Sequence, residues 1–280
     1  MAEIAIIGGT GLATLKNLEI RRREVMRSPY GEPSGPLLHG ELGNTDVVFL
    51  PRHGRGHTIP PHMVNYRANI WALRETGVQK VIAVAAVGGI RQDMEPGRLA
   101  FPDQLIDYTW SRMHTYFEQD LSHVTHVDFT DPYSPGLRSV LIESAQRLQL
   151  EAIQDGTYGA TQGPRLETAA EINRMERDGC DMVGMTSMPE AALARELGLD
   201  YACIAVVANP AAGIGDTAIT MDQFAALANE LEQHAVAHEM ITYGGAPHAF
   251  TVFGQPRYQE TADKKSWQRF QEFLAERLKN

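Results

Sequence analysis

The chain is poor in cysteine. Its 280 residues include two, Cys180 and Cys203, and no Cys-x-x-Cys pair. Both lie in apolar stretches, which argues against a disulfide scaffold or a thiolate metal site and predicts reduced core thiols. No apolar run approaches the roughly 18 residues of a membrane helix. The start, Met1-Ala2-Glu3-Ile4-Ala5-Ile6-Ile7, has no cationic segment and reads as a strand rather than a signal peptide. Basic residues are in deficit, with 25 Lys and Arg against 35 Asp and Glu and a net charge of -10. That balance argues against nucleic-acid and anionic-membrane partners, which need a basic face. What is present, 43% hydrophobic and 21% charged residues, is ordinary globular composition and leads to the expectation of a cytoplasmic enzyme.

Apolar runs alternate with helical patterns along most of the chain. Strands are expected at Glu3–Ile7, Asp46–Leu50, Val81–Val87 and Tyr201–Ala208. Helices are expected at Asn65–Glu75, Pro135–Leu148, Thr168–Arg177, Pro189–Leu197 and Asp216–His238. Continuous apolar strands between helices predict an α/β domain whose sheet is covered on both faces. Strands that stop at Gly, Arg, His or Asn put polar groups at their ends, where such folds build their sites.

Several of those strand ends carry chemistry-bearing residues. Gly8-Gly9-Thr10-Gly11 closes a strand with glycines and a hydroxyl that suit an oxyanion, although a plain tight turn explains it equally well. It is neither a Walker loop, since no Gly-Lys-Ser/Thr follows, nor the dinucleotide fingerprint, since Thr14 stands at the last glycine position. Arg52-His53-Gly54, with His57 and His62 close behind, fits a phosphate dianion, with Arg forking onto two oxygens and His donating a third bond. A surface Arg with satisfied histidines is the alternative. Thr186, at a strand-to-helix junction, presents a hydroxyl at a helix N-terminus. Thr168 reads as a helix cap after Gly163-Pro164-Arg165. Asn209 ends the last apolar strand. His234 with His238, and His123 with His126, have metal-like spacing but lack a third ligand, so no metal is expected.

Taken in order, these motifs resemble the trimeric purine nucleoside phosphorylase family. They are Gly8-Gly9-Thr10-Gly11, Arg52-His53-Gly54, Val64-Asn65-Tyr66-Arg67-Ala68-Asn69-Ile70-Trp71-Ala72-Leu73, Gly163-Pro164-Arg165 and Gly184-Met185-Thr186-Ser187-Met188-Pro189-Glu190. Within the family they are most similar to the methylthioadenosine and methylthioinosine phosphorylases, over about residues 3–238. The resemblance implies an α/β fold with a mixed sheet core flanked by helices, and a homotrimer with sites at subunit borders. It implies attack of inorganic phosphate on C1′ of a purine nucleoside, releasing the free base, with no metal or other cofactor. Position by position, it places Thr10, Arg52, His53, Thr186 and the Ala86 backbone N–H on phosphate. It places His62 where ordinary purine nucleoside phosphorylases have a phosphate-binding histidine. Ala85 departs from the methylthioadenosine phosphorylases, which carry a hydroxyl residue there, and His62 is expected to compensate. Met185 would underlie the ribose, Met221 and Phe224 would form the wall for the 5′ group, and His126 would reach a neighbouring subunit's site.

The base-facing positions differ between branches of that family. Methylthioadenosine phosphorylases look similar except for an Asp-x-Asp at the strand end and a small hydroxyl residue after the Gly-Pro-Arg turn; here those positions are Asn209, Ala211 and Glu167. An Asn amide donates to O6 and its carbonyl faces N7–H, while a Glu carboxylate accepts from N1–H, the pattern of a 6-oxopurine. The expected substrate is 5′-methylthioinosine. Methylthioadenosine is the alternative, and inosine ranks third because Met221 and Phe224 favour a thioether over a hydroxyl.

Residues 241–280 read differently. They hold seven of the 21 aromatic residues and carry six basic and four acidic residues, +2 against -12 for residues 1–240. A boundary is therefore expected near Ile241, with a phosphorylase domain over 1–240 and a helical tail over 241–280. The tail is similar to the C-terminal end of dienelactone hydrolases, in which a His at the position of His248 is the triad base. The chain has no Gly-x-Ser/Cys-x-Gly nucleophile elbow for that His to serve. Forty residues cannot rebuild a hydrolase sheet, so a fused segment is the expected origin. A binding role for its apolar stripe, Trp267, Phe270 and Phe273, is the third reading.

Overall fold

The computed structural model describes residues 2–9, 18–118 and 121–215. Thr10, the expected helix Asp216–His238 with Met221 and Phe224, and the tail 241–280 lie outside the described residues.

The fold is built around one long strand, Lys80–Gly89, which is β5 in chain order. It follows β1 (Ile4–Gly8), β2 (Leu18–Glu24), β3 (Leu37–Leu42) and β4 (Thr45–Pro51). After it come β6 (Leu99–Ala100), β7 (Gln104–Asp107), β8 (Ala152–Ile153), β9 (Thr157–Ala160), β10 (Met182–Gly184) and β11 (Asp200–Pro210). The helices are α1 (Tyr66–Glu75), α2 (Pro135–Arg147), α3 (Ala169–Asp178) and α4 (Ser187–Glu196). All eleven strands join one mixed sheet, with the path β2-β3-β4-β1-β5-β10-β9-β7 and with β11, β6 and β8 branching from β5.

The strands with unbroken apolar runs lie at the centre. β5 and β11 run parallel along almost their whole lengths. On one face of the pair Val81, Ala83, Ala205 and Val207 are buried at 0% exposure, and on the other Ile82, Val84, Ala86, Ile204 and Val206 are partly buried, so apolar residues occupy both faces and no polar alternation appears. β2 and β3 had no such signal. β2 reads Leu-Glu-Ile-Arg-Arg-Arg-Glu, with five exposed residues in a row, because it is the sheet's edge. Charge on an edge strand blocks pairing with other chains and hides the strand from hydrophobic pattern reading.

Local chemistry sets the helix starts. Asn65 and Ser134 accept from the N–H groups of Ala68 and Leu137. Thr168 and Glu171 form a reciprocal capping box on α3, which ends at Gly179 in the left-handed region (φ 94°). No helix among the described residues is long and apolar enough to cross a membrane.

Candidate active site

The sheet forks at β5. On one edge, Lys80–Ala83 pair with β1 and Gly88–Gly89 pair with β10. Between these two pairings, from Val84 to Val87, neither strand is opposite that edge. Arg52, just past the end of β4, fills the opening and donates from Nη1 to the Val84 carbonyl at 2.9 Å. Backbone groups of a strand alternate between its two edges. The Ala86 N–H, two residues on, therefore leaves β5 on the same side as that carbonyl. Gly9 closes the fork from above. A Cβ there would lie 2.4 Å from the Val84 oxygen and 2.9 Å from Arg52 Nη1, so only glycine allows the approach.

Arg52 is 1% exposed and its partner Glu190, in the first turn of α4, is fully buried. Nε and Nη2 donate to the two carboxylate oxygens at 2.5 and 2.9 Å, and the Tyr201 hydroxyl donates to Oε2 at 2.9 Å. Burial alone pulls the Arg52 pKa down; the Glu190 carboxylate outweighs it and holds the guanidinium above its ordinary value. The sequence pattern pictured Arg52 with its fork free. Instead the Nε–Nη2 edge is occupied by protein, and of five N–H groups one on each Nη remains.

His53 follows at 5% exposure. Its Nδ1 is 2.8 Å from the Ile59 carbonyl, an acceptor only, so Nδ1 carries the proton and Nε2 a lone pair. Burial first and Arg52 second push its pKa down to about 4. The ring is neutral at pH 7 and accepts at Nε2, in contrast to the donor expected from spacing. His62 lies on a single 3-10 turn, Pro61–Met63, and its buried Nδ1 meets no partner among the described residues. Thr186 is 6% exposed at the N-cap of α4 and makes no side-chain cap bond, so the helix does not consume its hydroxyl. Its N–H lies 3.4 Å from the Tyr158 hydroxyl. That approach needs Gly184, where a Cβ would fall 2.0 Å from the Tyr158 oxygen.

Asn209 lies near the end of β11 and Glu167 on the loop between β9 and α3, two segments that meet where a Cβ on Gly213 would lie 2.5 Å from that of Ala169. The β5–β11 register slips between Val207 and Asn209, so a bulge re-aims Asn209, which is 7% exposed. One of its N–H groups goes to the Pro210 carbonyl at 2.6 Å. Glu167 lines a cavity of about 460 Å³ with Tyr108, Trp110, Thr161 and Gln162. Thr161 donates to Glu167 Oε1 at 2.6 Å. Met185 packs against Gly163, whose added Cβ would lie 2.5 Å from its sulfur. His126 is apart from these groups, exposed on the segment between β7 and α2. On the same segment Trp110, Met113, Leu121 and Val124 are 66%, 51%, 44% and 72% exposed.

Pattern reading missed Arg112. It is 8% exposed and pairs with no carboxylate among the described residues. It donates instead to the carbonyls of Met185 (2.8 Å), Met188 (2.5 Å), Thr161 (3.1 Å) and Gln162 (2.8 Å), and to the Gln162 side chain. One guanidinium thus ties the loop carrying Thr186 to the loop leading to Glu167. An isolated Arg in a polar segment gives no sequence signal for this. The two cysteines are free and buried, and burial pushes the Cys203 thiol up to about 12.

Residues 3–241 match the family model described as the Phosphorylase superfamily. The chain is 55% identical over 221 residues to a Pseudomonas syringae pv. tomato protein named "Probable S-methyl-5'-thioinosine phosphorylase", covering 79% of this chain and 90% of that one. It is 46% identical over 241 residues to the 6-oxopurine nucleoside phosphorylase of Pyrococcus furiosus, covering 84% and 90%. The methylthioadenosine phosphorylase of Schistosoma mansoni, solved with adenine, superposes with a TM-score of 0.79 at 30% identity, covering 84% of this chain and 88% of that chain.

The state of His53 has a measurable consequence. Its pKa is about 4 in the folded chain against an ordinary 6.5. Between those values the unfolded chain binds a proton that the folded chain refuses, so stability falls as pH drops from about 6.5 towards 4. His57, also shifted down by burial, acts in the same direction. In thermal melts between pH 7 and pH 5, His53→Asn is expected to lose part of the wild-type decline. Superimposable pH dependences would show that His53 is not buried in its neutral form.

Proposed function

This chain belongs to the phosphorylase superfamily, and we propose that its reaction is the phosphorolysis of 5′-methylthioinosine to hypoxanthine and 5-methylthioribose 1-phosphate. The observation that carries the reading is a matched donor and acceptor on two neighbouring segments, the buried Asn209 amide on the β11 bulge and the Glu167 carboxylate on the loop before α3, where Gly213 just past β11 packs against Ala169. Hypoxanthine offers O6 as acceptor and N1–H as donor, which match an amide N–H and a carboxylate oxygen. Adenine offers the reverse, and each mismatched buried group costs roughly 1–3 kcal/mol. The name borne by the Pseudomonas syringae relative supports the same substrate.

In this reading phosphate lies in the fork of the sheet. The free Nη hydrogens of Arg52, the Ala86 N–H and the hydroxyls of Thr186 and Thr10 donate to it, and His62 supplies a further contact. The neutral His53 accepts from a protonated phosphate oxygen. One phosphate oxygen forms the bond to C1′ as the C1′–N9 bond breaks; the electron pair passes into the purine, which takes up by way of solvent the proton that the phosphate gives up on becoming an ester. Glu167 and Asn209 hold the base as charge builds there, so the site stabilises the departing group without a covalent intermediate. Phosphate is a co-substrate, and no step calls for a metal or another cofactor. Met185 underlies the ribose, and Met221 and Phe224 receive the methylthio group.

A second copy of the chain is proposed to cover the exposed apolar residues Trp110, Met113, Leu121 and Val124 and to receive His126, in a homotrimer. The domain over residues 1–240 carries the activity, and 241–280 is a fused tail in which His248 is idle.

Hypoxanthine release from methylthioinosine is expected to require inorganic phosphate and to exceed adenine release from methylthioadenosine and hypoxanthine release from inosine. Equal rates without phosphate would make the enzyme a hydrolase. Asn209→Asp turns a donor into an acceptor facing O6 and is expected to lower the methylthioinosine to methylthioadenosine ratio of kcat/KM by about tenfold or more; an unchanged ratio would remove Asn209 from the base site.

Truncation after Ile241 tests the tail. The shortened chain is expected to retain phosphorolysis and a trimer mass by light scattering. Loss of activity in a soluble trimer would place part of the tail in the site.

A further inference from the structure

We propose that Thr161 is a positioning residue that sets which purine the site accepts, by holding one oxygen of Glu167 and leaving the other to receive an N–H from the base. The inference rests on the reading of Glu167 as the base's partner and extends it to a residue that acts through Glu167.

Thr161 follows directly on β9 and its backbone is fixed from two sides. Its N–H donates to the Gly184 carbonyl at 2.8 Å, and its own carbonyl accepts from Arg112 at 3.1 Å. The residue is 8% exposed. Its hydroxyl therefore has a defined origin, and it carries one proton. Two acceptors lie within reach, Glu167 Oε1 at 2.6 Å and the Gly184 carbonyl at 3.3 Å. The shorter distance is that of a charge-assisted O–H to carboxylate bond, so the proton goes to Glu167.

Glu167 has no other anchor among the described residues. It stands at the end of a turn whose Pro164, Arg165 and Leu166 are exposed. The nearest cation in sequence, Arg165, is engaged by both oxygens of Glu171 at 2.8 and 2.7 Å. Arg174, also on the cavity wall, lies over the Tyr108 ring and beside Asp178. Among the described residues Thr161 is the one hydrogen-bond donor to Glu167. A carboxylate on an exposed turn visits several rotamers, and a single short bond from a fixed hydroxyl selects one of them. With Oε1 engaged, Oε2 remains as an acceptor for N1–H of a 6-oxopurine. The unprotonated N1 of a 6-aminopurine would meet it lone pair to lone pair.

The test compares Thr161→Val with Thr161→Ser in the full-length chain, using methylthioinosine and methylthioadenosine at saturating phosphate. Valine keeps the volume and removes the donor; serine keeps the donor and removes a methyl. Thr161→Val is expected to lower kcat/KM for methylthioinosine by about tenfold, the scale of one hydrogen bond to a charged group, with methylthioadenosine changed much less. Thr161→Ser is expected to restore the wild-type ratio. A merely structural role would lower both substrates together, so an unchanged ratio in Thr161→Val overturns the proposal, as does a serine variant that behaves like valine. Should Thr161→Val prove too unstable to assay, the serine variant and Glu167→Gln, which weakens the acceptor, pose the same question through the same ratio. A wild-type chain that releases no hypoxanthine from methylthioinosine would instead overturn the underlying reading, and the inference with it.

Discussion

A buried ion pair in the fork of a sheet organises this molecule. Arg52 enters where β5 leaves β1 and before it meets β10, and among the described residues the charge that balances it is Glu190, on a helix that starts on the other side of the opening. Removing one member of such a pair typically costs 3–5 kcal/mol, because the other is left as an uncompensated charge in an apolar setting. The pair fixes the distance between the end of β4 and the start of α4, and with it the positions of His53 and Thr186. Tyr201 extends the network into β11, and Tyr133, stacked on Tyr201, reaches Ser187 in the first turn of α4.

A second cation works on the other half of the site by different means. Among the described residues Arg112 meets four backbone carbonyls and no carboxylate, so there it pins loops rather than neutralising a charge. The loop after β9 and the loop after β10 each end in carbonyls that the sheet does not pair, and a planar guanidinium is suited to several acceptors at once. The segments that carry Thr186 and Glu167 are thereby held to a common frame. Catalysis by positioning needs such a frame, since misplacement by about an ångström can cost two orders of magnitude in rate.

The resemblance to nucleoside phosphorylases was carried by short motifs, and their geometry refines what each does. Arg52 turns one edge of its fork to Glu190 and leaves the other. His53 spends its proton on Ile59 and becomes an acceptor. Arg165, central to its motif, is bound to the capping-box residue Glu171, whose carboxyl it holds down at about 2. The motif there serves the entrance of α3 as much as any ligand.

Local patterns were enough to mark the central elements, and the ordered motifs to mark the family. Unbroken apolar runs marked β5 and β11 because neither face of these strands is given over to polar residues, helical spacing marked α1 and α2, and Thr168 marked the start of α3 because a cap acts within one turn. Asn209 and Glu167 were legible as a base-recognising pair only through the family resemblance. What tertiary structure alone decided are the relations between distant segments. The edge strand β2, the bulge that turns Asn209, the Arg52–Glu190 pair across 138 residues and the Arg112 clamp leave no local pattern. Periodicity and caps are written by interactions a few residues apart. A fork in a sheet, a buried charge and its partner are settled only when strands from opposite ends of the chain compete for the same edge.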